Sequence, residues 1–132
     1  MKIEIISAQR DDLGESPVWD GRTQTLYWID SRRHRVHSLQ PATGVARDWT
    51  MPHEIGSIAL CESGRLLVAL QTDVHFLDLS SGQLTPLVHI THPADRMRLN
   101  DGRTDRAGRF CLGSLVLGRH EPHGVLYQLD AA

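Results

Sequence analysis

The sequence predicts an all-β chain carrying about two and a half four-stranded antiparallel blades of a β-propeller. Three observations lead there. Short β-rich runs alternate with glycine turns, one pattern recurs every 42 to 43 residues, and no sustained 3.6-residue apolar stripe marks a helix. Four short strands in a unit of about 40–45 residues are what a propeller blade requires.

The first unit opens with Glu15-Ser16-Pro17-Val18-Trp19-Asp20, turns at Gly21-Arg22 and returns through Leu26-Tyr27-Trp28-Ile29-Asp30. Arg35–Leu39 supplies a third strand, and Ala46–Thr50 a fourth after a turn at Thr43-Gly44. The second unit repeats the order with Ser57–Glu62, a turn at Ser63-Gly64, Leu66–Leu70, Val74–Leu79, a turn at Ser81-Gly82, and Leu84–Val88. In the third, Asn100–Asp105, a turn at Ala107-Gly108, Phe110–Ser114 and Gly124–Leu129 provide three strands. Val125, Tyr127 and Leu129 alternate and should share a face. Asp20, Glu62 and Asp105 mark the register. The expected boundaries are blade 1 over about 13–51, blade 2 over about 55–90 and a partial blade 3 over about 98–132, all in one incomplete domain. Propellers close with about 4–8 blades, so 132 residues cannot close a ring alone.

Composition narrows the function. A hydrophobic share of 40% allows a packed core, and a net charge of -2 gives no reason to expect nucleic acid or an anionic membrane as partner. Arg32-Arg33-His34-Arg35 reads as a solvated turn. No apolar run approaches the roughly 20 residues needed to span a bilayer, and Met1–Ile6 carries an acid where a secretory signal would be apolar. Cys61 and Cys111 sit in apolar runs and read as small buried thiols. A cytoplasmic location is expected. Trp19, Trp28 and Trp49 read as packing residues. The pairs His34/His37, His89/His92 and His120/His123 stand at i, i+3, which in a strand puts the rings on opposite faces and disfavours zinc.

Gly14-Glu15-Ser16-Pro17-Val18-Trp19 with Leu26–Asp30, and Arg98-Leu99-Asn100-Asp101-Gly102-Arg103-Thr104-Asp105 with Ala107–Phe110 and Gly124–Asp130, resemble the two signatures of the gluconolactonase, regucalcin and luciferin-regenerating enzyme family. The resemblance implies a six-bladed propeller with one divalent metal ion (Ca, Zn, Mn or Mg) in its channel, hydrolysing sugar lactones to aldonic acids. It implies that Glu15 is a metal ligand and that Arg98 and Asn100 contact the sugar. Two further ligands and the expected catalytic acid would come from later blades, so this chain is expected to be the N-terminal part of the enzyme, with its metal site incomplete. The repeat agrees on one point. Glu15 and Asn100 each stand five residues before the register acid, on the strand that lines a propeller's channel, where Ser57 holds the place in blade 2. Oxygen ligands favour hard cations. Asp101, followed by Gly102, is open to either a site role or Asp-Gly turn chemistry. The family's usual Gly-Thr-Met is replaced by Gly113-Ser114-Leu115, and no acid follows until Glu121. The rival expectation is a non-catalytic interaction module whose open blade edges seek a second copy or the missing C-terminal half.

Overall fold

The computed structural model describes residues 1–130; Ala131 and Ala132, the end of the expected third blade, lie outside the described residues. Eleven strands form three antiparallel sheets, with no helix among the described residues. The first sheet is β1 (Gly14–Asp20), β2 (Thr25–Asp30), β3 (Arg35–Gln40) and β4 (Val45–Thr50). The second is β5 (Ser57–Leu60), β6 (Leu66–Ala69), β7 (Asp73–Leu77) and β8 (Leu84–His89). The third is β9 (Met97–Thr104), β10 (Phe110–Val116) and β11 (Leu126–Leu129). Each strand pairs with its neighbour in sequence, so every connection within a sheet is a hairpin.

The sheets stack face to face. Tyr27, Ile29, Val36 and Trp49 of the first sheet meet Ile58, Leu66, Val68 and Leu77 of the second in one core. Ala59, Ala69 and Val74 of the second meet Leu99, Phe110 and Leu112 of the third in another, with Tyr127 and Leu129 packed against it. Period-2 alternation explains both: each strand of the middle sheet sends alternate side chains to opposite neighbours. Full burial of each large aliphatic chain is worth about 1.5–3 kcal/mol. The innermost strands β1, β5 and β9 lie side by side along the row. Residues Ile6–Gln9 cover the far face of the first sheet, beside Trp28 and His37.

Turn chemistry is as written in the sequence at Gly44, Gly64, Gly82 and Gly108, which all adopt positive φ. The first hairpin differs. Its left-handed residue is Gln24 (φ 53°), the last of the four loop residues between Asp20 and Thr25, the place that Gly44 holds in the equally long loop between Gln40 and Val45; Gly21 is the first loop residue and is not where the chain reverses. The register acid also needs correction in the second sheet. Asp105 N–H donates to Arg109 O and receives Gly108 N–H on its carbonyl; Cys61, not Glu62, makes the same two bonds with Arg65 and Gly64. Glu62 therefore lies one residue past the equivalent place.

Other expectations shift with the packing. Trp49 is buried, but Trp19 is 47% exposed, because it follows Val18, which takes the core side of β1. Cys61 and Cys111 are half-buried rather than enclosed. Arg32, Arg33 and Arg35 each face an acid: Asp12, Asp30 and Asp48 respectively. His37 is buried and stacks on Trp28, while His34 sits in the preceding turn with φ 56°. His89 faces Asp73, and His92 faces the Gln71 carbonyl.

Candidate functional site

Glu15 is the second residue of β1, opposite Ile29. Immediately after it the strand carries an extra residue. Val18 pairs Tyr27 and Glu15 pairs Ile29, so Ser16 and Pro17 together face Trp28. Ser16 takes φ 53°, and its Oγ accepts the Ile58 N–H at 3.2 Å, tying the first sheet to the second beside Glu15. The entry to β1 is fixed from the other side by Asp30. Its buried carboxylate accepts the N–H groups of Asp12 (2.8 Å), Leu13 (3.2 Å) and Arg33 (3.2 Å). Burial alone would raise the Asp30 pKa; the three backbone donors, with Arg33 nearby, hold it below the ordinary value.

The third sheet repeats this device. Leu112 pairs Gly102 and Ser114 pairs Leu99, which leaves Asn100 and Asp101 together opposite Gly113. Between β5 and β6 of the second sheet the register is unbroken and Ser57 pairs Ala69 directly. The two inner strands that hold Glu15 and Asn100 are thus the two that carry a β-bulge at that point, and bulges re-aim side chains.

Asn100 and Arg98 are brought together. Arg98, whose side chain is only 9% exposed, donates from Nη1 to its neighbour's carbonyl, Leu99 O, at 2.9 Å and to Asn100 Oδ1 at 3.3 Å. Its Nε lies 3.2 Å from Glu54 Oε2, a charge contact in which the N–H is not aimed at the carboxylate. Ser57 donates its hydroxyl to the Asn100 carbonyl at 3.0 Å. Asp101 is exposed and accepts the Gly102 N–H at 2.9 Å.

The Asp-Gly turn considered for Asp101-Gly102 does not form: both residues lie inside β9. Gly102 is required by packing instead. A Cβ there would lie 2.7 Å from Leu112 Cβ and 2.8 Å from Ser57 Oγ. Gly56 is tighter still against the backbone of Leu99 and Asn100.

Glu15 is not joined to Arg98 or Asn100 by a hydrogen bond among the described residues. It is half-buried and lines an open groove of about 270 Å³ with Ile6, Gln9, Asp11 and Trp28. Two hydrogen bonds bridge the inner strands between the two positions, Ser16 to Ile58 and Ser57 to Asn100. No group of three or more His, Cys, Asp or Glu side chains is gathered for a metal among the described residues. Glu121, the first acid after Gly113, is exposed beside Arg119 and His123. Sequence reasoning missed Glu54, Ser16 and Asp30. Glu54 lies on a connection with no motif, and only the distant partner Arg98 gives it meaning.

The family model described as the SMP-30/Gluconolactonase/LRE-like region matches residues 13–132. The chain is 38% identical over 130 residues to 6-deoxy-6-sulfogluconolactonase of Pseudomonas putida, covering 98% of this chain and 44% of that protein. It is 35% identical over 130 residues to L-arabinolactonase of Azospirillum brasilense, covering 96% and 43%. The crystal structure of regucalcin, a calcium-binding protein from Agrobacterium tumefaciens, superposes with a TM-score of 0.86 at 22% identity, covering 94% of this chain and 42% of that one. The chain therefore spans less than half the length of the relatives it matches.

Proposed function

The chain belongs to the SMP-30/gluconolactonase/LRE-like family, and from that premise we propose that it supplies about two and a half blades of a divalent-metal-dependent sugar lactonase. The reaction is the addition of water to the lactone carbonyl with cleavage of the ring C–O bond, giving an aldonate and a proton. The observation that supports this reading is a β-bulge on each of the two inner strands. Glu15 immediately precedes the bulge of β1, and Asn100 lies within that of β9, hydrogen-bonded to a buried arginine. Two relatives bear lactonase names, which supports sugar lactones as the substrate class.

Each residue has a defined part. Arg98 offers the remaining donors of its guanidinium to ring or hydroxyl oxygens. Asn100 has its oxygen engaged by Arg98, so its NH₂ is the group free to meet the sugar. Glu15 offers a carboxylate to a hard cation, and the regucalcin relative's calcium binding supports such an ion. The donor set fits as one part of a site: Glu15 supplies the one carboxylate among these residues, while the Asn100 oxygen already accepts from Arg98 and the Ser57 hydroxyl donates to the Asn100 carbonyl. When bound, the metal would polarise the lactone carbonyl and lower the pKa of a water.

The test is a chimera in which this chain is joined to the C-terminal blades of the P. putida relative. Acid release from D-glucono-1,5-lactone with Mn²⁺ or Ca²⁺ is expected, and Glu15→Gln should abolish it. A folded, metal-loaded chimera without activity would overturn the reading.

A further inference from the structure

Arg98 is a buried cation on the inner strand of the third sheet, and one acid faces it. Glu54 lies between β4 and β5, on a connection that is firmly held. Ile55 is fully buried, Ser31 Oγ donates to Ile55 O at 2.5 Å, and Gly56 N–H donates to Ala69 O at 2.8 Å. The Glu54 carboxylate is partly exposed, at 35%, while Arg98 is nearly enclosed. We propose that Glu54 is a positioning and specificity residue. It neutralises Arg98, holds it so that Nη1 fixes the Asn100 amide, and so leaves a site that takes a neutral polyhydroxylated lactone but does not retain an anionic aldonate.

The inference rests on the lactone reading of Arg98 and Asn100 and goes beyond it by assigning the charge balance. Lactone hydrolysis turns a neutral substrate into a carboxylate. A buried guanidinium without a counter-charge would bind that product in preference to the substrate, because unscreened charge attraction is strong away from bulk water. With Glu54 at 3.2 Å the pair is neutral overall, and the carboxylate gains no such advantage. The orphaned Nε–H marks the direction in which the guanidinium is held by charge rather than by a hydrogen bond. A modest turn of the Glu54 side chain would complete that bond. No other acid makes an ion pair with Arg98 among the described residues.

The experiment titrates the metal-free chimera that carries the C-terminal blades of the P. putida relative with D-gluconate and with neutral 1,5-anhydro-D-glucitol, following the Asn100 side-chain amide and the Arg98 Nε–H by NMR. Wild type, Glu54→Gln and Glu54→Asp are compared, with thermal melts to verify folding. The gluconate-to-anhydroglucitol affinity ratio should rise on the order of tenfold in Glu54→Gln, fall again with added salt, and stay near wild type in Glu54→Asp. The Arg98 Nε–H resonance should broaden or shift in Glu54→Gln. An unchanged ratio in folded Glu54→Gln, with wild type binding both ligands, overturns the role of Glu54 and leaves the lactone site standing. Failure of wild type to bind either ligand overturns the lactone reading of Arg98 and Asn100, and this inference with it.

Discussion

Gly56→Ala probes the seam on which the site is built. A Cβ at residue 56 would lie 2.6 Å from Asn100 O, 2.7 Å from Leu99 O and 2.8 Å from Leu99 C. Non-bonded contacts to carbon relax only at about 3.5 Å, so the β5–β9 seam would have to open by about 0.9 Å at its tightest contact. All three obstacles are backbone atoms, and no side chain can swing aside. The Ser57–Asn100 hydrogen bond, now 3.0 Å, would stretch past the useful limit. Overpacking costs about 1–3 kcal/mol and the lost bond about 1 kcal/mol, so the expected loss is roughly 2–4 kcal/mol. The sign is diagnostic, because Gly→Ala at an unobstructed extended position stabilises by roughly 0.4–1 kcal/mol. Gly64→Ala is the control: its φ is 82° with open space around it, and the expected cost is about 1–2 kcal/mol. Urea unfolding of both variants measures the difference. If Gly56→Ala is as stable as the parent, or no weaker than Gly64→Ala, the close seam is wrong.

Asp30→Asn should destabilise by about 1–3 kcal/mol at neutral pH, since three backbone donors lose a charged acceptor that is itself buried. The Asp30 pKa is depressed on folding, so its stabilisation is present above the ordinary carboxylate value and is lost as pH falls through the folded value. Urea midpoints taken from neutral to acid pH should therefore fall less steeply in Asp30→Asn than in the parent. The Cys61 thiol is pushed up by burial, with Arg65 and a backbone donor only partly opposing. Iodoacetamide should alkylate it near neutral pH more slowly than a free peptide cysteine, as peptide mass spectrometry can follow. Phe110 is 1% exposed between the second and third sheets; Phe110→Ala should cost about 3–5 kcal/mol in the same urea assay.

The local chemistry was legible in the sequence. Strand order, the glycine turns at residues 44, 64, 82 and 108, and the place of Asn100 near Arg98 follow from patterns a few residues long. The failures lie where a distant segment decides. Trp19 reads as core because tryptophan usually packs, yet it is left largely exposed. Glu62 looks like the register acid because it is acidic, but backbone bonding puts Cys61 in that role. Asp101-Gly102 reads as a turn, while the glycine serves the Ser57 contact from another sheet. The five-residue spacing to an acid carries no signal of the bulges, since Ser57 also stands five residues before an acid, Glu62, on a strand paired without one; the pairing register was needed to see them. Glu54 carries no local signal at all.

The most direct test of the account is paramagnetic broadening by Mn²⁺ in the chimera that completes the ring. The amides of residues 14–16 and 100–102 should broaden together at low Mn²⁺, while the hairpin turns at Gly44 and Gly82 stay sharp. Broadening at only one of the two inner-strand positions, or at the turns instead, would contradict a shared axial metal site.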